Sequence, residues 1–453
     1  MTMRIAVIGG GIAGLAAAYR LGQAGVDAVV LEAGLRAGGV VGTSKVDGFV
    51  REHAANAILA SGVDGVADLA DELGVEMVAS SPSAKRRWIW IDGALRELPS
   101  NPIAFAKSEL LTWRGKLALF AEPLRPARDR RLTDESVHDW ATRRLGPEAA
   151  RALIAPFITG IYAADAREVS LAAGMKAFAA LEADGGLVRG MLMKMIRGRG
   201  AKSHGPKRRG LIAPRGGMQA IIDALVAKLG PRVRIGTSVT AVRPDRAAGG
   251  VAIAIGDKIE RFDGAVLAVS AKTAAKLVSA DVPGLAAALG GFVRAPAALV
   301  YLGFAPGALP PDREGFGFLV AQGEALRLLG CVIESSLWPG RAPDGAVLLR
   351  CIFGGARDPE ACALDDAALI AHAKADVAKA LGVTGEPIHT SVVRWAEGVA
   401  QLPVGHHERL AVVDGQARAA RLVMAGAGMH GVALNDLVAD ARRVVAEVRG
   451  WGA

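Results

Sequence analysis

Arg4-Ile5-Ala6-Val7-Ile8, then Gly9-Gly10-Gly11-Ile12-Ala13-Gly14, then Ala28-Val29-Val30-Leu31 closing on Glu32, decide the fold. The first run reads as a short buried strand and Leu15 to Gln23 as a helix. Gly25 ends that helix, and the second apolar run is another strand, making a β-α-β unit of about 30 residues. Between strand and helix the glycines match G-x-G-x-x-G. The first allows the sharp turn, the second lets a pyrophosphate approach the backbone, and the third lets helix and strand pack closely. Free N–H groups and a partial positive charge at the helix start favour the phosphates. A carboxylate at Glu32 accepts hydrogen bonds from an adenosine ribose and repels a 2′-phosphate, so NADP is disfavoured.

Around this unit the chain has 453 residues, 51% hydrophobic and 22% charged, enough for two or three domains with large cores. Its net charge of +9 points to nucleic acid, anionic lipid or an acidic small molecule. No nucleic-acid motif accompanies the charge, so nucleic acid is set aside. Cys331, Cys351 and Cys362 form no Cys-x-x-Cys pair, which fits a reducing compartment. His53, His406, His407 and His430 lack metal-ligand spacing and read as structural. The N-terminal apolar run is glycine-punctuated, unlike a signal peptide, and no apolar run of about 20 residues predicts a spanning helix.

Further along, Gly62 to Leu73 reads as a helix and Trp88 to Leu95 as a hairpin turning at Asp92-Gly93. Pro102 to Met195 is mostly helical in pattern, with a basic run at Arg125 to Arg131, and Gly198 to Gly210 reads as a basic loop. Gln219 to Leu229 is a helix; Val233 to Val242, Val251 to Ile255 and Ala265 to Val269 are strand-like. Short strands fill Gly291 to Ile352. Ala367 to Leu381 is helical, Leu422 to Ala425 is a strand, and Asn435 to Val448 is a last helix capped by Asn435 or Asp436.

Arg36-Ala37-Gly38-Gly39, just past Glu32, resembles the second glycine motif of the flavin amine oxidase superfamily. With both motifs in register, FAD is favoured over NAD. Four further stretches, in order, resemble the FAD-dependent protoporphyrinogen oxidases of bacterial type: Pro82 to Trp90, Thr159 to Asp165, Gly315 to Val320 and Gly431 to Asp436. The resemblance covers essentially the whole chain. It implies an α/β fold: a Rossmann-like FAD-binding domain (1–80, 225–272 and 412–453), a mixed-sheet substrate domain (81–105, 210–224 and 273–411) and a helical membrane-associating insert (106–209).

The same resemblance assigns residues. Arg87 matches an arginine facing a substrate propionate, and Gly160 a glycine whose carbonyl lies near the pyrrole nitrogens. Phe316 and Leu319 match residues that sandwich the macrocycle, and Ile352 stands where methionine is frequent. For FAD it implies Gly9, Gly10, Gly11, Ile12, Ala13, Gly14, Glu32, Arg36, Gly38, Gly39 and Val40, with Ala54, Ala55, Asn56 and Ala57 along the flavin. Val239 holds the adenine, and Val432, Ala433 and Leu434 close the cofactor site; the glycine-rich turn Gly426 to Asp436 would approach the ring system. Trp395 either flanks the flavin or packs in the core. The implied reaction is oxygen-dependent, six-electron oxidation of protoporphyrinogen IX in haem biosynthesis, with hydrogen peroxide formed and the flavin as the reactive centre. Implied partners are the porphyrinogen, dioxygen and an anionic membrane surface, placing the chain in the cytoplasm at the membrane periphery. A contact with the next haem-pathway enzyme and a homodimer stay open.

This chain departs from the family in three places. Glu52-His53-Ala54-Ala55-Asn56 stands where Glu-x-Gly-Pro is usual, Val399-Ala400-Gln401-Leu402 where Ile-Pro-Gln-Tyr is common, and Ala164 where glycine is usual. Read without the family, Arg87 either grips a carboxylate or is a strand-edge charge in water, and Phe316 and Leu319 are core residues. Coproporphyrinogen III is an alternative substrate. An amine oxidase or desaturase, or a flavoprotein without turnover, are rival readings. An amine oxidase needs an aromatic cage, and the only tyrosines are Tyr19, Tyr162 and Tyr301.

Overall fold

Apolar runs with no polar alternation must be covered on both faces, and the first strand is so placed. In a computed structural model, which describes residues 2–60, 64–125, 133–183, 186, 187, 189, 190, 210–245 and 249–452, Arg4–Ile8 is the centre of a five-stranded parallel sheet. The order is Val233–Arg234, Asp27–Leu31, Arg4–Ile8, Gly264–Leu267 and Leu422–Met424. Ile5 and Val7 face a core shared with the helices Ile12–Gln23, Gln219–Leu229 and Ala441–Arg449. Ala6 and Ile8 face the opposite core, with the helices Ala271–Val278, Pro283–Leu289 and His406–Ala419. All strands run the same way, so the loops after Ile8, Leu31, Leu267 and Met424 gather at one edge, where ligands bind in open α/β sheets.

A second sheet has seven strands in the order His389–Ala400, Arg294–Phe304, Val347–Gly354, Gly330–Ile333, Gly317–Val320, Arg87–Ile91 and Ala94–Glu97. Side chains alternate between its faces. Trp88, Trp90, Phe318, Val320, Cys331, Cys351 and Phe353 lie on one face under the helix Asp366–Leu381. The register puts Arg87, Ile89, Leu319, Gly330, Ile352, Leu299, Val393 and Trp395 on the other. Ile89 and Ile91 pack there on a helical segment around Trp140, Ile158 and Leu171. Leu299 and Tyr301 pack on Phe49 at the far side. Phe316, Leu319 and Ile352 are only half-buried.

Several expected elements differ. The expected strand 233–242 is two strands in different sheets, parted at Ile235 to Ser238. The last helix is two, Leu434–Ala439 and Ala441–Arg449, meeting at Asp440. Where only short strands were expected, Arg294–Phe304 runs for 11 residues. The expected boundary at 224/225 falls inside Gln219–Leu229, whose Ile221, Ile222 and Leu225 all join the dinucleotide-side core. The basic run beyond Arg125 and the loop before Gly210 lie outside the described residues, as do parts of 106–209.

Candidate active site

The glycine loop is built by backbone contact. Gly9, at φ 107°, donates its N–H to Leu31 O at 2.9 Å, and a side chain there would meet Ala268 O at 2.5 Å. A Cβ at Gly14 would strike the Gly9 carbonyl oxygen. At Gly11, by contrast, an added Cβ meets no described residue within 4 Å. Gly11 is the N-cap of Ile12–Gln23, and that helix start has no side-chain cap and no acidic residue in its first turn. Its first N–H groups therefore face an open backbone surface, a shape and polarity that suit a pyrophosphate.

Glu32 closes the adenosine end. Its Oε2 accepts the Gly10 N–H and its Oε1 the Gly34 N–H, both at 2.6 Å. A carboxylate has further lone pairs for two ribose hydroxyls. Thr237 donates its N–H to Glu32 O at 2.7 Å, which brings Val239 near that end. Arg36 wraps its own loop, bonding Val41 O at 3.0 Å and Gly39 O at 3.0 Å. Gly38 in turn donates to Gly10 O at 2.7 Å and forms a bridge to Gly11. The residues expected to hold the dinucleotide, from Gly9 to Val40, thus form one backbone cradle, and they fit an FAD pyrophosphate and ribose.

From the cradle, the stretch 53–57 leads to the second sheet. His53 lies beside Arg36, since a Cβ on Gly42 would meet His53 Nδ1 at 2.7 Å and Arg36 Nη2 at 3.0 Å. Burial, then the charges of Arg36 and Arg51, lower the pKa of His53 and keep it neutral. Trp395 Nε1 donates to His53 O at 2.7 Å, Arg350 Nη2 to Ala54 O, and Asn56 Nδ2 to Glu334 Oε1 at 2.8 Å. Ala57 packs against the cluster that holds Phe316. Trp395 therefore reaches the stretch 53–57 through a hydrogen bond.

On the sheet face, Arg87 stands opposite Gly317 in register, with its guanidinium 4.8 Å from the Phe316 ring centroid. Among the described residues no carboxylate pairs with it, and its Nε has only Ala84 O at 3.4 Å. The side chain reaches solvent, yet burial lowers its pKa. A guanidinium open to solvent, held over an aromatic ring and without a carboxylate among the described residues, suits an acidic ligand. Two residues along the strand, Leu319 wedges against Gly160, where a Cβ would meet Leu319 Cδ2 at 2.5 Å. Ile352 lies two strands away, in the cluster of Phe49 and Tyr301, so it flanks Phe316 and Leu319 across the face.

The C-terminal turn also reaches the strand ends: Gly426 lies 4.0 Å, by its Cβ position, from Val269 O. Ala433, between Val432 and Leu434, is the N-cap of the helix that follows. Asn435 does not cap its own helix. Its Oδ1 accepts the Val66 N–H at 3.0 Å and its Nδ2 donates to Leu59 O at 2.8 Å, tying the turn to the helix Val66–Leu73. The left-handed residue near Gly160 is Ala163, at φ 46°, so the family's glycine is not required at Ala164.

Sequence reasoning missed a buried charged network beneath 53–57. Glu52, Arg341, Glu334, Arg350 and the Tyr301 hydroxyl meet there, with Arg341 Nη1 2.5 Å from Glu52 Oε1. Only the sheet pairing brings these distant residues together. Arg294 was also missed: it donates to Glu397 O, Gly398 O and Ala427 O, joining the edge strand to the C-terminal turn. No group of acidic, His or Cys residues could hold a metal among the described residues.

A glycine-loop cradle on a parallel sheet, tied through the stretch 53–57 to a second, mixed sheet, defines the class of flavin-dependent oxidoreductases. The model of the flavin containing amine oxidoreductase family matches residues 12–449, and the chain belongs to that family. It is an FAD-dependent oxidoreductase. The chain is 29% identical to a chloroplastic protoporphyrinogen oxidase of Nicotiana tabacum, over 98% of its length and 85% of the relative's. It is 31% identical to a coproporphyrinogen III oxidase of Propionibacterium freudenreichii subsp. freudenreichii, over 98% and 90%. A crystal structure from Exiguobacterium sp. 255-15, assigned provisionally as a protoporphyrinogen oxidase, superposes with a TM-score of 0.83 at 26% identity, covering 99% of both chains.

Proposed function

We propose that the chain oxidises protoporphyrinogen IX to protoporphyrin IX in haem biosynthesis, with dioxygen as acceptor and hydrogen peroxide as product. The observation that carries this reading is Arg87, an exposed cation without a carboxylate partner among the described residues, set over the ring of the half-buried Phe316 and on the same sheet face as Leu319. Bound FAD supplies the hydride acceptor. The chain supplies placement: Arg87 grips a propionate, Phe316, Leu319 and Ile352 wall the macrocycle, and Gly160, whose missing side chain admits Leu319, turns its carbonyl toward the pyrroles. The 54–57 stretch lies along the flavin. These apolar walls also keep water from the reacting carbon.

Kinetics by porphyrin fluorescence and peroxide release test this directly. Arg87→Ala should raise KM about 10- to 150-fold with a smaller change in kcat, since a charge-assisted hydrogen bond contributes about 1.5–3 kcal/mol. An unchanged KM overturns the role of Arg87, and absence of porphyrin formation overturns the substrate. Coproporphyrinogen III is the second reading, supported by the name of the Propionibacterium relative. Parallel kinetics with both porphyrinogens decide between them.

We also propose that the helical segment within 106–209 docks on anionic membrane. Trp113, at 66% exposure, with Leu117 and Phe120 forms an outward i, i+4, i+7 stripe on the helix Trp113–Phe120. Leu124, at 88%, and Ile103, at 72%, extend it, and Lys107, Arg114 and Arg125 lie within the same stretch. No described helix is long and apolar enough to cross a membrane.

A further inference from the structure

Glu334 stands out among the buried groups that the proposed reaction leaves unused. It opens the short helix Glu334–Leu337 directly after the strand Gly330–Ile333 and is 1% exposed. Its Oε1 accepts the Asn56 Nδ2–H at 2.8 Å; its Oε2 is buried without a partner among the described residues. A carboxylate only accepts hydrogen bonds, so Asn56 can meet it only through its NH2 group. That bond leaves Asn56 Oδ1 as the free end of the amide. Oδ1 makes no hydrogen bond to any described residue, and Asn56 keeps 8% exposure.

A porphyrinogen presents four pyrrole N–H donors at its centre and no acceptor there. An outward carbonyl oxygen complements it, whereas an outward NH2 group would set donor against donor. We infer that Glu334 is a positioning residue: its carboxylate holds Asn56 with Oδ1 turned to the ligand side, as an acceptor for pyrrole N–H groups. This rests on the porphyrinogen reading above. It also assigns a task to Asn56 beyond lining the flavin.

The inference carries a pH dependence. Burial raises the pKa of Glu334 to about 7, against the opposing charges of Arg350 and Arg341; Glu52 adds to the rise, and the Asn56 hydrogen bond lowers it. These groups, with the Tyr301 hydroxyl, face it from the strand Val347–Gly354, the loop before it, the strand Phe49–Glu52, the stretch 53–57 and the strand Arg294–Phe304. Below about pH 7 the protonated carboxyl gains a donor and no longer fixes the amide in one sense. Ionisation restores that single orientation, so kcat/KM should rise as pH rises through this value.

The test compares wild type, Glu334→Gln, Asn56→Ala and the double variant as yellow holoenzymes from pH 5.5 to 9. The flavin absorbance and melting temperature of each show that it is folded and loaded. Wild-type kcat/KM for protoporphyrinogen should show an acid limb near pH 7. E334Q should lose the limb and fall about tenfold at pH 8.5, and the double variant should be no worse than Asn56→Ala. An acid limb retained in E334Q, or additive losses in the double variant, overturns the inference. If wild type oxidises no porphyrinogen, the parent reading fails instead. Infrared difference spectra then still report on Glu334: a carboxyl band lost near pH 7 in wild type and missing in E334Q supports its titration in the site. Lack of that band in wild type sinks it.

Discussion

Gly11 and Gly14 sit three residues apart in one loop, yet the structure assigns them opposite sensitivities. Gly11 has φ −70° and ψ 172°, an extended conformation open to any residue, and a Cβ there touches no described residue within 4 Å. Gly11→Ala should therefore leave the deflavinated protein as stable as wild type, or better by about 0.4–1 kcal/mol through the unfolded state. The added methyl occupies the surface over the uncapped helix N–H groups. Losing one charge-assisted hydrogen bond to phosphate, worth about 1.5–3 kcal/mol, raises the Kd for FAD about 10- to 150-fold. Gly14→Ala drives its Cβ into the Gly9 carbonyl and to 3.1 Å from Ala268 Cβ. Backbone does not yield as a side chain does, so about 2–3 kcal/mol of stability is lost before any cofactor is added. For 453 residues that corresponds to roughly 2–3 °C in Tm. Thermal unfolding of the deflavinated proteins and quenching of FAD fluorescence on titration separate the two effects. Unchanged FAD affinity in Gly11→Ala, or equal loss of stability in both variants, refutes the placement of the pyrophosphate over Gly11.

Gly160→Val should abolish porphyrin formation while leaving FAD content intact, because the larger side chain collides with Leu319 on the ligand face and not with the cradle; activity above a tenth of wild type would contradict this. Leu117→Asp with Phe120→Asp should release the protein from phosphatidylglycerol vesicles in a sedimentation assay, with little change in turnover of dispersed substrate. Persistent vesicle binding would count against the stripe. Glu334→Gln should be more stable than wild type at pH 8. The native carboxyl holds its proton up to about pH 7 while an unfolded one releases it near 4.5, so wild-type stability falls as pH rises through that window, by up to about 3 kcal/mol. Equal urea midpoints at pH 5 and pH 8 for the two proteins would show that Glu334 carries no such penalty.

The dinucleotide half was legible because its signals are local. Strand, glycine turn, helix and acid follow one another within 29 residues, and each is required by the same bound group. The substrate half was legible only through family resemblance. Phe316 and Leu319 alone read as core, and the register Gly317↔Arg87, joining residues 230 apart, sets the arginine beside them. Asn435 illustrates the limit. A polar residue near a helix start reads as that helix's own cap, whereas its oxygen serves the helix Val66–Leu73, 369 positions earlier at Val66. The charged network escaped notice because charged residues read as surface, and Arg341, Arg350 and Glu334 are buried only once three strands have paired.

That network also bears on the stretch 53–57, where the chain has Ala54-Ala55 in place of the usual Gly-Pro. A proline stiffens a segment by fixing φ and shrinking the unfolded ensemble. Here the stretch is held instead by side chains reaching in from the second sheet: Trp395 to His53 O, Arg350 to Ala54 O and Glu334 to Asn56. Two of these three belong to buried charged groups, whose partners are costly to remove. The stretch 53–57 is thereby coupled to the sheet that carries Leu319 and Ile352. A perturbation of Arg350 or Glu334 should consequently register both in the flavin spectrum and in substrate KM, whereas a proline-stiffened loop would respond to neither.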